Sequence, residues 1–495
     1  MRARAFAPAA AAALIAAFAT ACPRSGRPAA TIALADCQLA SRSGSGRLQA
    51  RCGTLQVPED RARPQGRKID LRVAVVAARG VADPTPVFFL AGGPGQAATE
   101  QHVGAMAALS SAQRDRDVVL VDQRGTGALS ALRCQLPEDL DEPETLSEEA
   151  RLQSVDACLR QLQGDPRHYT TMDHVRDLEA VREALGYSQV HLLGVSYGTR
   201  VALAYLRAYP DRVRTAVLDS VAPPSMNVGE QMALTAQRAL DLDLKRCAST
   251  PACAAHFPDL PAALERVLDR LQRAPERVKL RHPTTGAPTE VTLTRSRFAM
   301  TTFFYSYLPE LVGLLPLFIH GADTTGDYSP IAAQSLYLSG QMENSISRPL
   351  HFSVVCAEDV PFYGQEPKRA DWLPERSYLG DLQLASYRSV CGRWPHATVD
   401  PSFKEPVRSE VPVLLLSGEA DPVTPPELAE EAKRTLSRSL HLVVKGHGHN
   451  VSPRGCLPSL IAKVERASSV DGLDTGCVAD IAPAPMFLDF LGHEP

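Results

Sequence analysis

Net charge is nearly absent from this chain: 52 lysines and arginines face 56 aspartates and glutamates, a balance of -4 over 495 residues. With so small an excess, and with no basic stripe interleaved with aromatics, the sequence lacks the electrostatic footprint of a nucleic-acid binder. It has no Cys-x-x-Cys or His-x-x-x-His spacing, which removes the usual zinc layouts. Internal repeats are missing, as are low-complexity tracts beyond an alanine-rich start. No uninterrupted apolar run is long enough to span a bilayer: the stretch Phe298 to Ala322 is broken by Pro309, Glu310 and Pro316. What remains is a globular composition, 44% hydrophobic and 22% charged, which excludes disorder, collagen-like repeats and a coiled coil. The length is about three times the ~150 residues of a typical domain, enough for two cores or for one large core with an elaborate insertion. Thirty-nine prolines exceed the usual ~5% share and imply many ordered loops.

The first 21 residues carry two arginines, an apolar run from Ala9 to Ala21 and small residues at its end, the layout of an export signal. Two endings are open. Ala19-Thr20-Ala21 suits an ordinary signal peptidase, whereas Ala21-Cys22 resembles the end of a bacterial lipoprotein signal, although Ala19 stands where leucine is usual. Eleven cysteines leave one unpaired; with Cys22 set aside as a lipid acceptor, ten remain for five disulfides in an oxidising compartment. They fall into neighbouring pairs, and local pairing is the expectation: Cys37 with Cys52, Cys134 with Cys158, Cys247 with Cys253, Cys356 with Cys391, Cys456 with Cys477. The protein is therefore expected in the periplasm or outside the cell, with membrane attachment through Cys22 as one outcome.

Residues 23 to 50, rich in Ser, Gly and Arg, read as loop-like. Strand-like runs follow at Leu71 to Ala78, Pro86 to Leu90 and Asp117 to Val121. Val175, Leu178, Val181 and Leu185 then recur at helical spacing up to Gly186. Next come a strand at Val190 to Leu193, a helix at Thr199 to Tyr209 and a strand at Thr215 to Asp219. Strands alternating with helices predict a mainly parallel sheet covered on both faces. The alternation stops between 225 and 405, where the pattern is helical and proline-punctuated, then resumes with strands at Val413 to Gly418 and Leu440 to Val444 and a helix from Pro426. A large helical insertion between two sheet strands accounts for this. The expected organisation is an export signal (1–21), an amino-terminal segment (22–60), a first core part (61–224), a helical cap (225–405) and a second core part (406–495).

Gly194-Val195-Ser196-Tyr197-Gly198 lies between one such strand and the following helix. A serine on that turn is thrust out at the carboxyl edge of the sheet, and the flanking glycines make room for the strained backbone. Ser196 is thus the candidate nucleophile. A serine hydroxyl needs a base, and the base an orienting carboxylate, in the chain order Ser, acid, His for this turn. Asp421 follows the strand ending at Gly418, and His449 the strand ending at Val444. Asp219 and Glu419 are the rivals for the acid and His447 for the base, with Asp421 and His449 preferred. Acyl transfer also needs donors for the oxyanion. Leu90-Ala91-Gly92-Gly93-Pro94-Gly95-Gln96 follows a strand; Pro94 has no N–H, so Gly93 is the expected donor, with the N–H of Tyr197 as the second.

On Gly92-Gly93-Pro94-Gly95, Asp122-Gln123-Arg124-Gly125-Thr126-Gly127, Gly194 to Gly198, Asp421-Pro422-Val423-Thr424-Pro425 and Gly448-His449, the sequence resembles the proline iminopeptidase and tripeptidyl aminopeptidase family of α/β-hydrolases, in its exported branch with a distinctive carboxyl-terminal segment. Ala91 departs from the histidine that cytoplasmic relatives carry there, which weakens any inference of prolyl specificity. The resemblance implies an α/β-hydrolase fold and a serine peptidase acting on peptides with a free amino terminus, with the insertion as a cap and with no metal or organic cofactor. A cap can offer carboxylates to an α-ammonium group; Glu358 and Asp359 are candidates, against the plainer reading of a solvated acidic pair. Asp122 and Arg124 are read as structural, holding their loop through turn glycines and an ion pair. An esterase of the same fold and an exported binding lipoprotein with a vestigial triad are the rival readings.

Overall fold

The computed structural model describes residues 31–40, 46–137, 139–364 and 377–492. The expected export signal and Cys22 lie outside these residues. Eleven strands occur among them: β1 (Ala35–Ala40), β2 (Arg47–Pro58), β3 (Lys68–Val76), β4 (Asp83–Leu90), β5 (Arg116–Val121), β6 (Val190–Val195), β7 (Val213–Asp219), β8 (Glu276–Arg281), β9 (Pro288–Leu293), β10 (Val413–Gly418) and β11 (Ser439–Val444). Nine form one sheet in the order β1-β2-β3-β5-β4-β6-β7-β10-β11. From β5 to β11 every neighbouring pair is parallel, while β1, β2 and β3 join antiparallel at one edge.

The central strands are continuous apolar runs because both faces are covered. In β4, Phe88 and Leu90 share one core with Val119 and Val121 of β5, Leu192 of β6 and the helices Thr171–Ala184 and Tyr197–Ala208. The alternate residues Val87 and Phe89 pack on the other face with Val118, Leu193, Leu414 and the helices His102–Ala108 and Leu457–Ala467. Thr170 starts the helix Thr171–Ala184 with a reciprocal capping box to Asp173.

Strands β7 and β10 are neighbours in the sheet, yet 193 residues lie between Asp219 and Val413 in the chain. This insertion is mostly helical and has its own core, built from Leu240, Val267, Phe298, Phe303, Ile319 and Ile331. The apolar stretch from Phe298 divides at its prolines into the helices Arg295–Tyr307, Pro309–Val312 and Leu315–Thr324. Among the described residues no helix is long and apolar enough to cross a membrane.

Two sequence expectations need correction. The loop-like reading of 23 to 50 fails from Ala35 onward, because β1 and β2 extend the main sheet. Many of their positions are exposed, and only Leu39, Ala50, Leu55 and Val57 are buried, so the apolar signal of a buried strand is diluted. Within the insertion, β8 and β9 form a two-stranded hairpin where no strand series was read. Its charged residues face water, and only Val278, Leu280, Val291 and Leu293 carry the period of two.

Five disulfides link Cys37 to Cys52, Cys134 to Cys158, Cys247 to Cys253, Cys356 to Cys391 and Cys456 to Cys477. Each closes a local loop, of 6 to 35 residues in sequence separation. Such links stabilise by about 2–4 kcal/mol apiece, chiefly by restricting the unfolded chain.

Candidate active site

Ser196 sits between β6 and the helix Tyr197–Ala208 with φ 56° and ψ -126°, a left-handed-side backbone that an L-residue adopts only when its surroundings enforce it. The enforcement is visible. The Ser196 N–H donates to the Asp219 carbonyl (2.9 Å), and its own carbonyl accepts from the Thr199 N–H (2.8 Å) and Oγ1 (2.6 Å). Gly198 must be glycine, since a Cβ there would run into the Leu90 carbonyl at the end of β4. The turn therefore presses the helix against the mouth of the glycine loop, and Gly92 lies beside the Ser196 Cβ.

Asp421 and His449 emerge from the same edge, past the ends of β10 and β11. His449 Nδ1 lies 2.8 Å from Asp421 Oδ2. A carboxylate only accepts, so Nδ1 carries the proton and Nε2 keeps a free lone pair. Asp421 is fully buried and saturated: the N–H groups of Val423 and Thr424 both donate to Oδ1 (2.9 Å each), and the Thr424 hydroxyl donates to Oδ2 (2.8 Å). Burial acts to raise the Asp421 pKa, but His449 and these hydrogen bonds outweigh it and hold the carboxyl below its ordinary value. For His449, burial acts to lower the pKa, and the Asp421 carboxylate more than offsets this, leaving it above the ordinary 6.5. The ring is further held by Tyr307, edge to face at 4.8 Å between centroids, and the His449 N–H donates to the Tyr307 carbonyl (2.8 Å).

The rival residues have other occupations. Asp219, at the end of β7, accepts from the N–H groups of Val451 (3.0 Å) and Ser452 (2.7 Å), so its carboxylate ties down the chain just after His449 while its carbonyl holds Ser196. Glu419 accepts from the Gly446 N–H (2.9 Å), and His447 Nδ1 bonds the Lys445 carbonyl (3.0 Å). A second serine, histidine and acid arrangement also exists: Ser417 Oγ lies 2.9 Å from His441 Nε2, whose Nδ1 lies 2.6 Å from Glu430. Ser417 is fully buried in mid-strand, with neither a sharp turn nor access for an acyl group, so this arrangement fastens β10 to β11 and its helix.

Gly93 has φ 110° in the loop after β4, and Tyr197 is the first residue of the helix that Ser196 opens. The Tyr197 side chain is locked. Its hydroxyl accepts from Gln123 Nε2 (3.1 Å) and lies 2.7 Å from Thr171 Oγ1. Thr171 spends its own proton on Glu358 (2.7 Å), so Tyr197 is the donor to Thr171. Asp122 bonds the N–H (2.8 Å) and hydroxyl (3.0 Å) of Thr99, and burial lifts its pKa to about 6. Arg124 makes a bidentate pair with Asp177 (2.7 Å each) and bonds the carbonyls of Glu59 and His168. Removing one partner of such a buried pair strands a charge, at a cost of about 3–5 kcal/mol.

Glu358 and Asp359 do not fit the amine-anchor expectation, nor are they solvated. Both are fully buried. Glu358 accepts from the Thr171 N–H (2.6 Å) and hydroxyl and lies 3.7 Å from Arg200; Asp359 pairs with Arg200 (3.0 Å) and Lys404 (3.2 Å). Both are turned onto these partners and away from solvent, and burial raises Glu358 to about 7. Sequence reading named Thr424 and Gln123 only as motif members without a role, and missed Tyr307 and Thr171. Thr424 alone had a local signal, as a hydroxyl three residues after an aspartate in a turn. Among the described residues no group of three or more His, Cys, Asp or Glu side chains gathers as a metal site.

Residues 85–307 match the model of the alpha/beta hydrolase fold, and residues 377–477 match that of the TAP-like protein. The chain is 24% identical over 462 residues to the tripeptidyl aminopeptidase of Streptomyces coelicolor, covering 88% of this chain and 84% of that one. It is 28% identical over 446 residues to the serine protease Hip1 of Mycobacterium tuberculosis, covering 82% of each. Among solved structures, the proline iminopeptidase of Mycobacterium smegmatis aligns with 84% of this chain and 98% of its own, at 17% identity and a TM-score of 0.41.

Proposed function

Because this chain has the alpha/beta hydrolase fold with a TAP-like match over residues 377–477, and its relatives are peptidases, we propose that it is an exported serine aminopeptidase that releases residues or short peptides from free peptide amino termini. The observation that carries the chemistry is the conjunction at one sheet edge of a strained, partly exposed Ser196 with the buried His449–Asp421 pair at 2.8 Å. In this reading the Ser196 Oγ attacks the scissile carbonyl carbon while His449 Nε2 takes its proton. Asp421 holds the imidazole in the required tautomer and stabilises the imidazolium. The N–H groups of Gly93 and Tyr197 receive the oxyanion. The imidazolium then protonates the leaving amine, and a water molecule, activated by the same histidine, releases the acyl group from Ser196.

Specificity for a free amine rests on the tripeptidyl aminopeptidase relative and on the insertion of residues 225–405 as a cap, not on Glu358 and Asp359, which are buried against Thr171, Arg200 and Lys404. Export is supported by the layout of residues 1–21 together with five disulfides, with Cys22 as the point of membrane attachment if it is acylated.

The test compares fluorophore release from proline, alanine and tripeptide amides, each with a free and an acetylated amino terminus. The reading predicts faster release from the free-amine forms, and the best length separates single-residue from tripeptide cleavage. Hydrolysis of short esters with no amide released would overturn it in favour of an esterase. A pH profile adds a second expectation. The base must be neutral to take the Ser196 proton, and the His449 pKa stands above 6.5, so kcat/KM should fall on acidification with a midpoint above 6.5. A midpoint well below that value would contradict His449 as the base.

A further inference from the structure

We propose that the helix Arg348–Glu358 of the insertion braces both oxyanion donors, with His351 as the positioning residue on the Gly93 side and Glu358 on the Tyr197 side. The inference rests on the acyl-transfer reading above. At the start of this helix, the Ser347 N–H donates to the Gly95 carbonyl (2.8 Å), and His351 Nδ1 lies 3.2 Å from the Pro94 carbonyl. The two carbonyls that follow Gly93 are thus both taken by one short segment of the insertion. A Cβ on Gly95 would fall 2.8 Å from the Ser347 carbonyl, so the loop and helix start lie in close contact.

A carbonyl only accepts, so His351 Nδ1 carries a proton. His351 Nε2 lies 2.9 Å from the Tyr387 hydroxyl and accepts its proton, which defines one neutral tautomer. The charged groups around this ring are Asp141, Arg348 and Asp359, and burial, the largest influence, keeps the His351 pKa below its ordinary value. Tyr387 comes from the helix Leu382–Cys391, joined to His351's helix by the Cys356–Cys391 disulfide. Ten residues from the start of the brace, Glu358 accepts from Thr171, which in turn accepts from the Tyr197 hydroxyl. Between these ends, Leu350 and Val354 pack in the same core as Leu90 and Tyr197, while Phe352 and Val355 pack with Val155 and Val390. The helix is therefore wedged between the sheet and the insertion, and it holds Pro94, which follows Gly93, and Thr171, which bonds the Tyr197 side chain.

The experiment compares H351L, which removes both hydrogen bonds, with H351N, whose side-chain N–H overlays Nδ1 and can still donate to Pro94. We read kcat and KM on a free-amine peptide amide, and the rate of Ser196 labelling by an organophosphonate, whose tetrahedral adduct uses the same donors. H351L should lose about 10- to 100-fold in kcat, as expected for a displaced rather than deleted oxyanion donor, with KM changed less than about twofold. Labelling should slow in parallel, and H351N should recover most of both. Unchanged kcat in H351L, equal losses in H351L and H351N, or a loss carried by KM would overturn the brace. If H351L does not fold, Y387F decides: a several-fold fall in kcat at constant KM supports the brace, and an unchanged kcat overturns it. Absence of Ser196 labelling in the unmodified protein would instead defeat the acyl-transfer reading, which separates the two failures.

Discussion

Replacing Ser196 by alanine should abolish turnover while leaving the fold intact. In a serine hydrolase the loss of the nucleophile costs about 10^6 in kcat, and the remainder comes from binding and oxyanion donors alone. The fold should tolerate the change, because the Ser196 side chain makes no capping hydrogen bond and is partly exposed, so its removal strands no buried partner. The strained φ of 56° is enforced by backbone contacts to Asp219 and Thr199 that alanine keeps. Unfolding temperature and circular dichroism of S196A should therefore match the unmodified protein, and amide hydrolysis should fall to background. Substantial residual turnover would remove Ser196 from the mechanism.

Asp421→Asn should be nearly as damaging, at about 10^4 in kcat near neutral pH. The reason lies in the turn. The N–H groups of Val423 and Thr424 both point at Oδ1, so the oxygen of an asparagine is held there and its NH2 group must occupy the Oδ2 position. That places a donor against His449 Nδ1, which must then accept, and the imidazole proton moves to Nε2, facing the nucleophile. The base is blocked without any change in shape. A loss below about tenfold would show that Asp421 does not set the tautomer, since a wrong tautomer cannot accept the serine proton.

The parts of this molecule that were readable from sequence are those whose physics is local. The buried parallel strands announce themselves as apolar runs, and the turn at Ser196 by two glycines between a strand and a helix. The order Ser196, Asp421, His449 needs only strand ends to be counted. The edge strand β1 and its neighbour β2 were missed because much of each faces water. The hairpin β8–β9 was missed because its charges interrupt the apolar alternation.

Glu358 and Asp359 show a different limit. Two adjacent acids look solvated, but their partners are Thr171, Arg200 and Lys404, far away in sequence and brought together only by the packing of the insertion on the sheet. The apolar run Phe352 to Ala357 just before them was the available hint, since its burial carries the following acids inward with it. Asp219 is a third case. A strand-end acid is chemically eligible to orient a histidine, and only the direction of two backbone N–H groups removes it from that role.

The central claim is that Ser196 is the nucleophile, and the most direct measurement is the site of covalent attachment of an organophosphonate, read by mass spectrometry of proteolytic peptides. A single adduct on the peptide containing Ser196, absent from S196A and slowed in D421N, is the predicted result. Attachment at Ser417, whose histidine and glutamate partners mimic the same connectivity, or no attachment at all, would contradict it.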